Sequence, residues 1–155
     1  MKIIKNNLII SLALVMIVTT ACEDKDATPE SGTISGTVTF INEFPTAETD
    51  TVRISIQHNW YPTGTPYALK EIKLEELNSD NKYVYTFNNV AFGTYGAIAV
   101  DLANGSPGYN ILGVYGGTVQ TGFIDADSIV ISVDNYAITD LNFVADFSYI
   151  NSGSH

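Results

Sequence analysis

The sequence predicts an all-β chain: a single sandwich of seven or eight short strands, preceded by an export signal and a flexible tether. Three observations carry that expectation. From Thr33 onward, apolar residues recur at every second position in run after run, which is the period of a strand with one buried face. The runs are separated by clusters of Asn, Asp, Gly, Pro and Ser, the residues of tight turns. No stretch after the N-terminal segment holds a convincing apolar stripe at helical spacing, so sheets must pack on sheets.

Residues 1–21 form the export signal. Lys2 and Lys5 give a basic head, Leu8 to Val18 supply eleven residues interrupted only by Ser11, and Thr19-Thr20-Ala21 adds small residues. This is the three-part layout of a secretory signal peptide. A spanning helix needs about 20 apolar residues, and this run is shorter. Ala21-Cys22 resembles the boundary of a bacterial lipoprotein signal, in which the cysteine is lipidated and becomes the mature N-terminus. Thr19 departs from that pattern, which usually has an aliphatic residue three before the cysteine. Cys22 is the only cysteine, so no disulfide within the chain competes for it. One acyl chain binds a membrane marginally and two bind it stably. The three chains of the lipoprotein class imply permanent attachment to the membrane.

The signal carries two of the seven basic residues and none of the seventeen acidic ones, so the remaining 134 residues carry a net charge of −12. Such a charge repels phosphate backbones and anionic headgroups, which excludes nucleic acid as a partner. Residues 22–31 are charged and small and read as a flexible tether. Their start, Cys22-Glu-Asp-Lys-Asp26, resembles the short export tags of surface lipoproteins in Bacteroidetes. The expected location is therefore the bacterial envelope, on an outer-membrane lipoprotein facing either the surface or the periplasm.

The domain is expected over residues 32–148. Ile34, Gly36, Val38 and Phe40 alternate with Thr33, Ser35, Thr37 and Thr39 in a first strand, and Asn42 to Asp50 breaks it. Val52, Ile54 and Ile56 alternate with Arg53, Ser55 and Gln57 in a second. Asn59 to Pro66 is a loop. Leu69 to Leu74 favours a strand, because a helical reading puts Glu76 into the apolar stripe. Asn78-Ser-Asp-Asn81 is turn chemistry. Tyr83, Tyr85 and Phe87 share one face of a strand that ends at Asn88-Asn89. Tyr95 to Asp101 forms the next, with Gly96, Ala97 and Ala99 small enough for close packing. After the Asn104–Gly108 loop come strands at Ile111 to Tyr115, at Ile129, Ile131 and Val133, and at Leu141, Phe143, Ala145 and Phe147. Residues 149–155 read as a polar tail.

Three of these segments carry a resemblance. Gly32-Thr-Ile-Ser-Gly-Thr-Val-Thr-Phe40 resembles the first strand of carboxypeptidase regulatory-like domains, a transthyretin-like (prealbumin-like) sandwich. Tyr85-Thr-Phe-Asn-Asn-Val-Ala-Phe-Gly-Thr-Tyr95 is similar to that family's strand, turn and Gly-x-Tyr entry, and Asp140-Leu-Asn-Phe143 to its closing strand. The resemblance implies an immunoglobulin-like sandwich without catalytic machinery, with Tyr95 as a corner residue whose hydroxyl ties back to nearby backbone. Residues 52–76 and 104–127 depart from the family's short form and leave the strand order open there.

Chemistry-bearing motifs are few. His58 and His155 are the only histidines, too few for a zinc site of the usual kind. Neither a Gly-x-Ser-x-Gly elbow nor a phosphate-binding loop is present. His58 continues the alternation of Ile54 and Ile56 and reads as a core or rim residue. Asp125 and Asp127 offer two carboxylates to calcium, with Asp134 and Asn135 as distant helpers. Their spacing lacks the third acid and the glycine of an EF-hand loop, so solvated turn acids are the expectation. No cofactor is expected. Trp60 and Tyr61 form the candidate ligand-contact loop, since binding residues gather on loops of rigid scaffolds. The alternative for Trp60 is a plug at one end of the sandwich, and the sequence favours the plug. The expected function is a lipid-anchored, non-catalytic binding or adhesive module for a glycan or protein. The alternative is an accessory lipoprotein that scaffolds another envelope protein.

Overall fold

A computed structural model describes residues 28–105 and 110–152; the expected signal peptide, Cys22 and most of the tether lie outside them. The first period-two run becomes β1 (Ser31–Ile41), the central strand of one sheet. One edge of β1 pairs antiparallel with β4 (Lys82–Ala91). Its other edge is shared by two parallel partners, β9 (Ala137–Ile138) beside Thr33 and Ile34, and β10 (Phe143–Asp146) beside residues 38–41. The second sheet runs in the order β3 (Ala68–Ile72), β2 (Thr51–Gln57), β6 (Ala97–Ala103), β7 (Asn110–Val114), with every neighbouring pair antiparallel. A ribbon of β5 (Gly93–Tyr95) and β8 (Ile129–Ile131) completes the fold.

The two large sheets bury their facing sides in one core. Ile34, Val38 and Phe40 of β1 and Tyr85 and Phe87 of β4 meet Val52, Ile54 and Ile56 of β2 and Ile98, Val100 and Leu102 of β6. Burying one such aliphatic or aromatic side chain contributes about 1.5–3 kcal/mol. Gly36 falls on this apolar face without a side chain of its own. A Cβ there would lie 2.2 Å from the Leu141 carbonyl oxygen and 2.8 Å from the Tyr85 hydroxyl. The space lets Tyr85 donate to the Leu141 carbonyl at 2.7 Å, and burial pushes its hydroxyl pKa well above the ordinary value. Phe40, Phe44 and Phe147 fill one end of the sandwich, with ring centroids 5.1–5.7 Å apart. The β5–β8 ribbon adds Tyr95, Ile129 and Ile131 to the same core. Tyr95 is a corner residue in fact: its hydroxyl donates to the Ala91 carbonyl at 2.8 Å.

The all-β sandwich agrees with the expectation, and the differences have local causes. Ten strands rather than seven or eight are present among the described residues. Gly96 divides the run from Tyr95 into β5 and β6, which enter different sheets, and the two-residue β9 has no period to betray it. Asn88-Asn89 does not end its strand. It forms a bulge in β4, because Gly32 pairs with Val90 and Ile34 with Phe87, leaving two residues opposite one, with Asn89 at φ 56°. Leu74 is exposed and begins a 3-10 turn (Leu74–Glu76) instead of extending β3 beyond Ile72. The expected turn at residues 78–81 is present, with the Asn78 side chain accepting from the backbone of Asp80 and Lys82, each at 2.9 Å. The tail does not begin polar: Tyr149 lies in a 3-10 segment (Phe147–Ser152) with its ring 5.4 Å from Phe123.

Candidate functional site

The inner strands of the second sheet, β2 and β6, are largely covered on both faces. Alternation along β2 sends Val52, Ile54 and Ile56 into the core and Arg53, Ser55 and Gln57 the other way. A half-buried strand would leave those three in water, yet Ser55 and Gln57 are 1% and 3% exposed. On β6 the residues in register with Arg53, Ser55 and Gln57 are Asp101, Ala99 and Ala97. The two alanines join Ile111, Val114 and Phe123 in a second, smaller core on this outer face.

The loop after β2 closes over that core. Gly96 makes the crossing possible, since a Cβ there would lie 2.5 Å from the Asn59 carbonyl carbon and 2.6 Å from the Trp60 nitrogen. Trp60 is half-buried, packs against the second core and donates through Nε1 to the Phe123 carbonyl at 2.6 Å. Tyr61 stacks on Trp60 with ring centroids 5.0 Å apart and gives its hydroxyl proton to the Gly122 carbonyl. Its side chain stays substantially exposed. The Trp60 ring thus holds the loop down, and Tyr61 is the part of the pair that water reaches.

Beside this plug lies a cleft of about 750 Å³, lined by Arg53, Ser55, Gln57 and Asp101 and by residues 64–69. Gln57 Nε2 donates to Ser55 Oγ at 2.7 Å. Arg53 grips Asp101 with two N–H groups, Nε to Oδ1 at 3.3 Å and Nη2 to Oδ2. Asp101 is 3% exposed, and burial pushes its carboxyl pKa up, with Arg53 drawing it only part of the way back. Residues 64–69 make the wall, with Pro66 and the exposed Leu69 among them. The Tyr67 ring lies between Tyr95, at 4.8 Å, and His58, at 5.7 Å, and its hydroxyl accepts from the Ala91 N–H at 2.8 Å. Burial, with Tyr67 alongside, pushes the Tyr95 hydroxyl up to about 12.

The remaining candidates from the sequence lie elsewhere. His58 is exposed on the rim, stacked edge-on to Tyr67. Asp125 closes its own turn, accepting from Thr121 Oγ1 and from the Thr118 N–H at 3.3 Å. The Thr121 hydrogen bond holds its carboxyl below the ordinary value. Asp127 is exposed and folds against Gly116. Asn135 turns its amide to the Val130 carbonyl at 3.3 Å, and Asp134 is exposed in the same turn. Among the described residues no three His, Cys, Asp or Glu side chains come together as a metal site. The residues that sequence reading missed are Arg53, Ser55, Gln57 and Asp101. The available signal was β6, where small and apolar residues alternate (Ala97, Ile98, Ala99, Val100), the mark of a strand covered on both sides. No family model, curated protein or solved structure matches the chain.

Proposed function

We propose that the chain is a non-catalytic binding module of the bacterial envelope, anchored by lipid on Cys22, whose ligand enters the cleft beside the Trp60 loop. One observation carries this reading. Three polar side chains, Ser55, Gln57 and Asp101, are at least nine-tenths buried at the border of a cleft on a sheet's outer face. Burying polar groups costs stability even when they are paired with one another. Apolar residues would close the face more firmly, so the polar floor is explained by what it contacts from outside. The groups are arranged for recognition rather than chemistry. The Ser55 hydroxyl is held by the Gln57 amide, which cannot act as a general base. The loop and sheet that frame the cleft are pinned by Trp60 and Tyr67, and a preorganised surface loses little entropy on binding.

The test is retention of isolated envelope glycans and envelope proteins by the full lipidated chain. Thr65→Trp and Leu69→Glu alter exposed positions of the wall, so both should keep the wild-type melting temperature and lose the retained material. Retention equal to wild type in both variants would remove the cleft from the reading.

A further inference from the structure

Resting on that reading, we propose that the cleft takes a neutral, polyhydroxylated ligand, a short saccharide, held by Arg53, Ser55, Gln57 and Asp101 against a wall that includes Pro66 and Leu69. The charge balance selects for neutrality. Among the described residues the cleft's one cation, Arg53, is already matched by the buried Asp101, and the residue in register with Arg53 on β3 is Glu71. Lys70 is turned away, its amine on the Thr86 carbonyl. An anionic ligand finds no uncompensated positive charge there among the described residues, and the chain as a whole is acidic at −10. A cationic ligand would have to compete with the guanidinium for Asp101.

The hydrogen-bonding pattern selects for hydroxyls. Arg53, Ser55 and Gln57 occupy alternate positions on one strand and span about 13 Å. They mix donors and acceptors: a guanidinium, a hydroxyl and a primary amide beside a carboxylate. Hydroxyl groups, which both donate and accept, answer such a row without any fixed polarity. The Arg53 side chain lines the cleft and is 26% exposed, while its Nε and Nη2 groups hold Asp101. The wall has a different character, with Pro66 and the exposed Leu69 side chain among its residues. A sugar matches both surfaces, with hydroxyls around its edge and C–H groups on its faces.

A peptide fits less well. Extended peptides bind sheets through backbone ladders at open edges. The floor strands β2 and β6 each already have a neighbour on both sides, so their backbone groups are committed.

The experiment titrates the full lipidated chain in detergent with neutral oligosaccharides of glucose, mannose and xylose units, with uronic-acid oligosaccharides, and with neutral hexapeptides. The expected result is binding to at least one neutral saccharide, with affinity unchanged between low and high salt, because no ion pair forms. Ser55→Ala and Gln57→Leu should each weaken it by about tenfold or more. Thr65→Trp, which leaves the buried floor intact, should abolish it, and this keeps the test decisive if Gln57→Leu does not fold. Binding only to uronic-acid oligosaccharides with steep salt dependence, or only to peptides, would overturn the proposal. So would saccharide binding untouched by all three variants. If every defined probe fails while envelope material is still retained through the cleft, the saccharide assignment falls and the binding-module reading survives. If retention is absent as well, both fall.

Discussion

The Arg53–Asp101 pair permits a prediction whose size and pH dependence both follow from its burial. Arg53→Met keeps much of the arginine stem's volume and removes the guanidinium. It leaves Asp101, 3% exposed, as a carboxylate with no cation. Breaking a fully buried pair in this way costs about 3–5 kcal/mol. Here the Arg53 side chain is 26% exposed, so water can enter beside the carboxylate and reduce the loss. The expected cost is about 2–3 kcal/mol at neutral pH, a fall in melting temperature of roughly 10 °C for a domain of this size.

The pH dependence separates lost charge pairing from lost packing. Burial already lifts the Asp101 pKa above its ordinary 3.8, against the opposing pull of Arg53. A carboxyl whose pKa is raised on folding holds its proton more tightly in the native state. Its favourable contribution is therefore complete below the unfolded value and is lost as pH rises through the folded value. Arg53→Met removes the opposing pull and lifts the folded value further. The variant's deficit should accordingly be small near pH 4 or below, where Asp101 is neutral in the variant, and full at pH 7. Urea denaturation across that range measures it. Adding Asp101→Leu should recover most of the loss at neutral pH, because two apolar groups then replace the pair. A deficit that stays constant across the range, or no deficit, would show that Asp101 is not a buried charge held by Arg53.

Three further outcomes are expected. Trp60→Ala should cost about 2–3 kcal/mol, since it vacates the second core and frees the Phe123 carbonyl; an unchanged melting temperature would mean that the ring is not a plug. Gly96→Ala should cost about 1–3 kcal/mol and shift the Trp60 emission, because the new Cβ forces Asn59 and Trp60 off β6; a wild-type spectrum and stability would contradict that crossing. Cys22→Ala should abolish fatty-acid incorporation and release the chain from the detergent phase, and equal labelling of both forms would end the lipid-anchor proposal.

Much of the fold was legible wherever apolar residues alternate with polar ones along a strand. Ile34, Val38 and Phe40, then Val52, Ile54 and Ile56, then Leu141, Ala145 and Phe147 all lie in the core at the alternate positions their period assigns. Features fixed by distant pairing were not legible. Asn88-Asn89 has the same local chemistry in a turn as in a bulge, and only the partner strand decides between them: β1 holds Val90 opposite Gly32 and so keeps β4 going. The parallel seating of β9 and β10 along one edge of β1 has no local signature either. Nothing in the residues around Ala137 or Phe143 states which strand they will meet.

The cleft was hidden for a different reason. Alternation tells which side chains point in opposite directions, but not whether the second direction leads to water. Arg53, Ser55 and Gln57, alternating with Ile54 and Ile56, have the pattern of an ordinary solvent face. That face is covered by the loop after β2 and by residues 119–126, segments more than sixty positions apart in sequence for Trp60 and Phe123. Asp101 carries the clue in retrospect. It continues the outward series of Ala97 and Ala99 on a strand buried from Ala97 to Leu102, where an unpaired carboxylate is costly. Register then supplies its partner, since the residue opposite Asp101 on β2 is Arg53. The alanines on β6 stay low and admit the Trp60 plug, while the polar row on the adjacent strand is left beside the plug's edge. A floor of matched charges and nearly covered polar groups at the border of the cleft follows from that side-by-side placement.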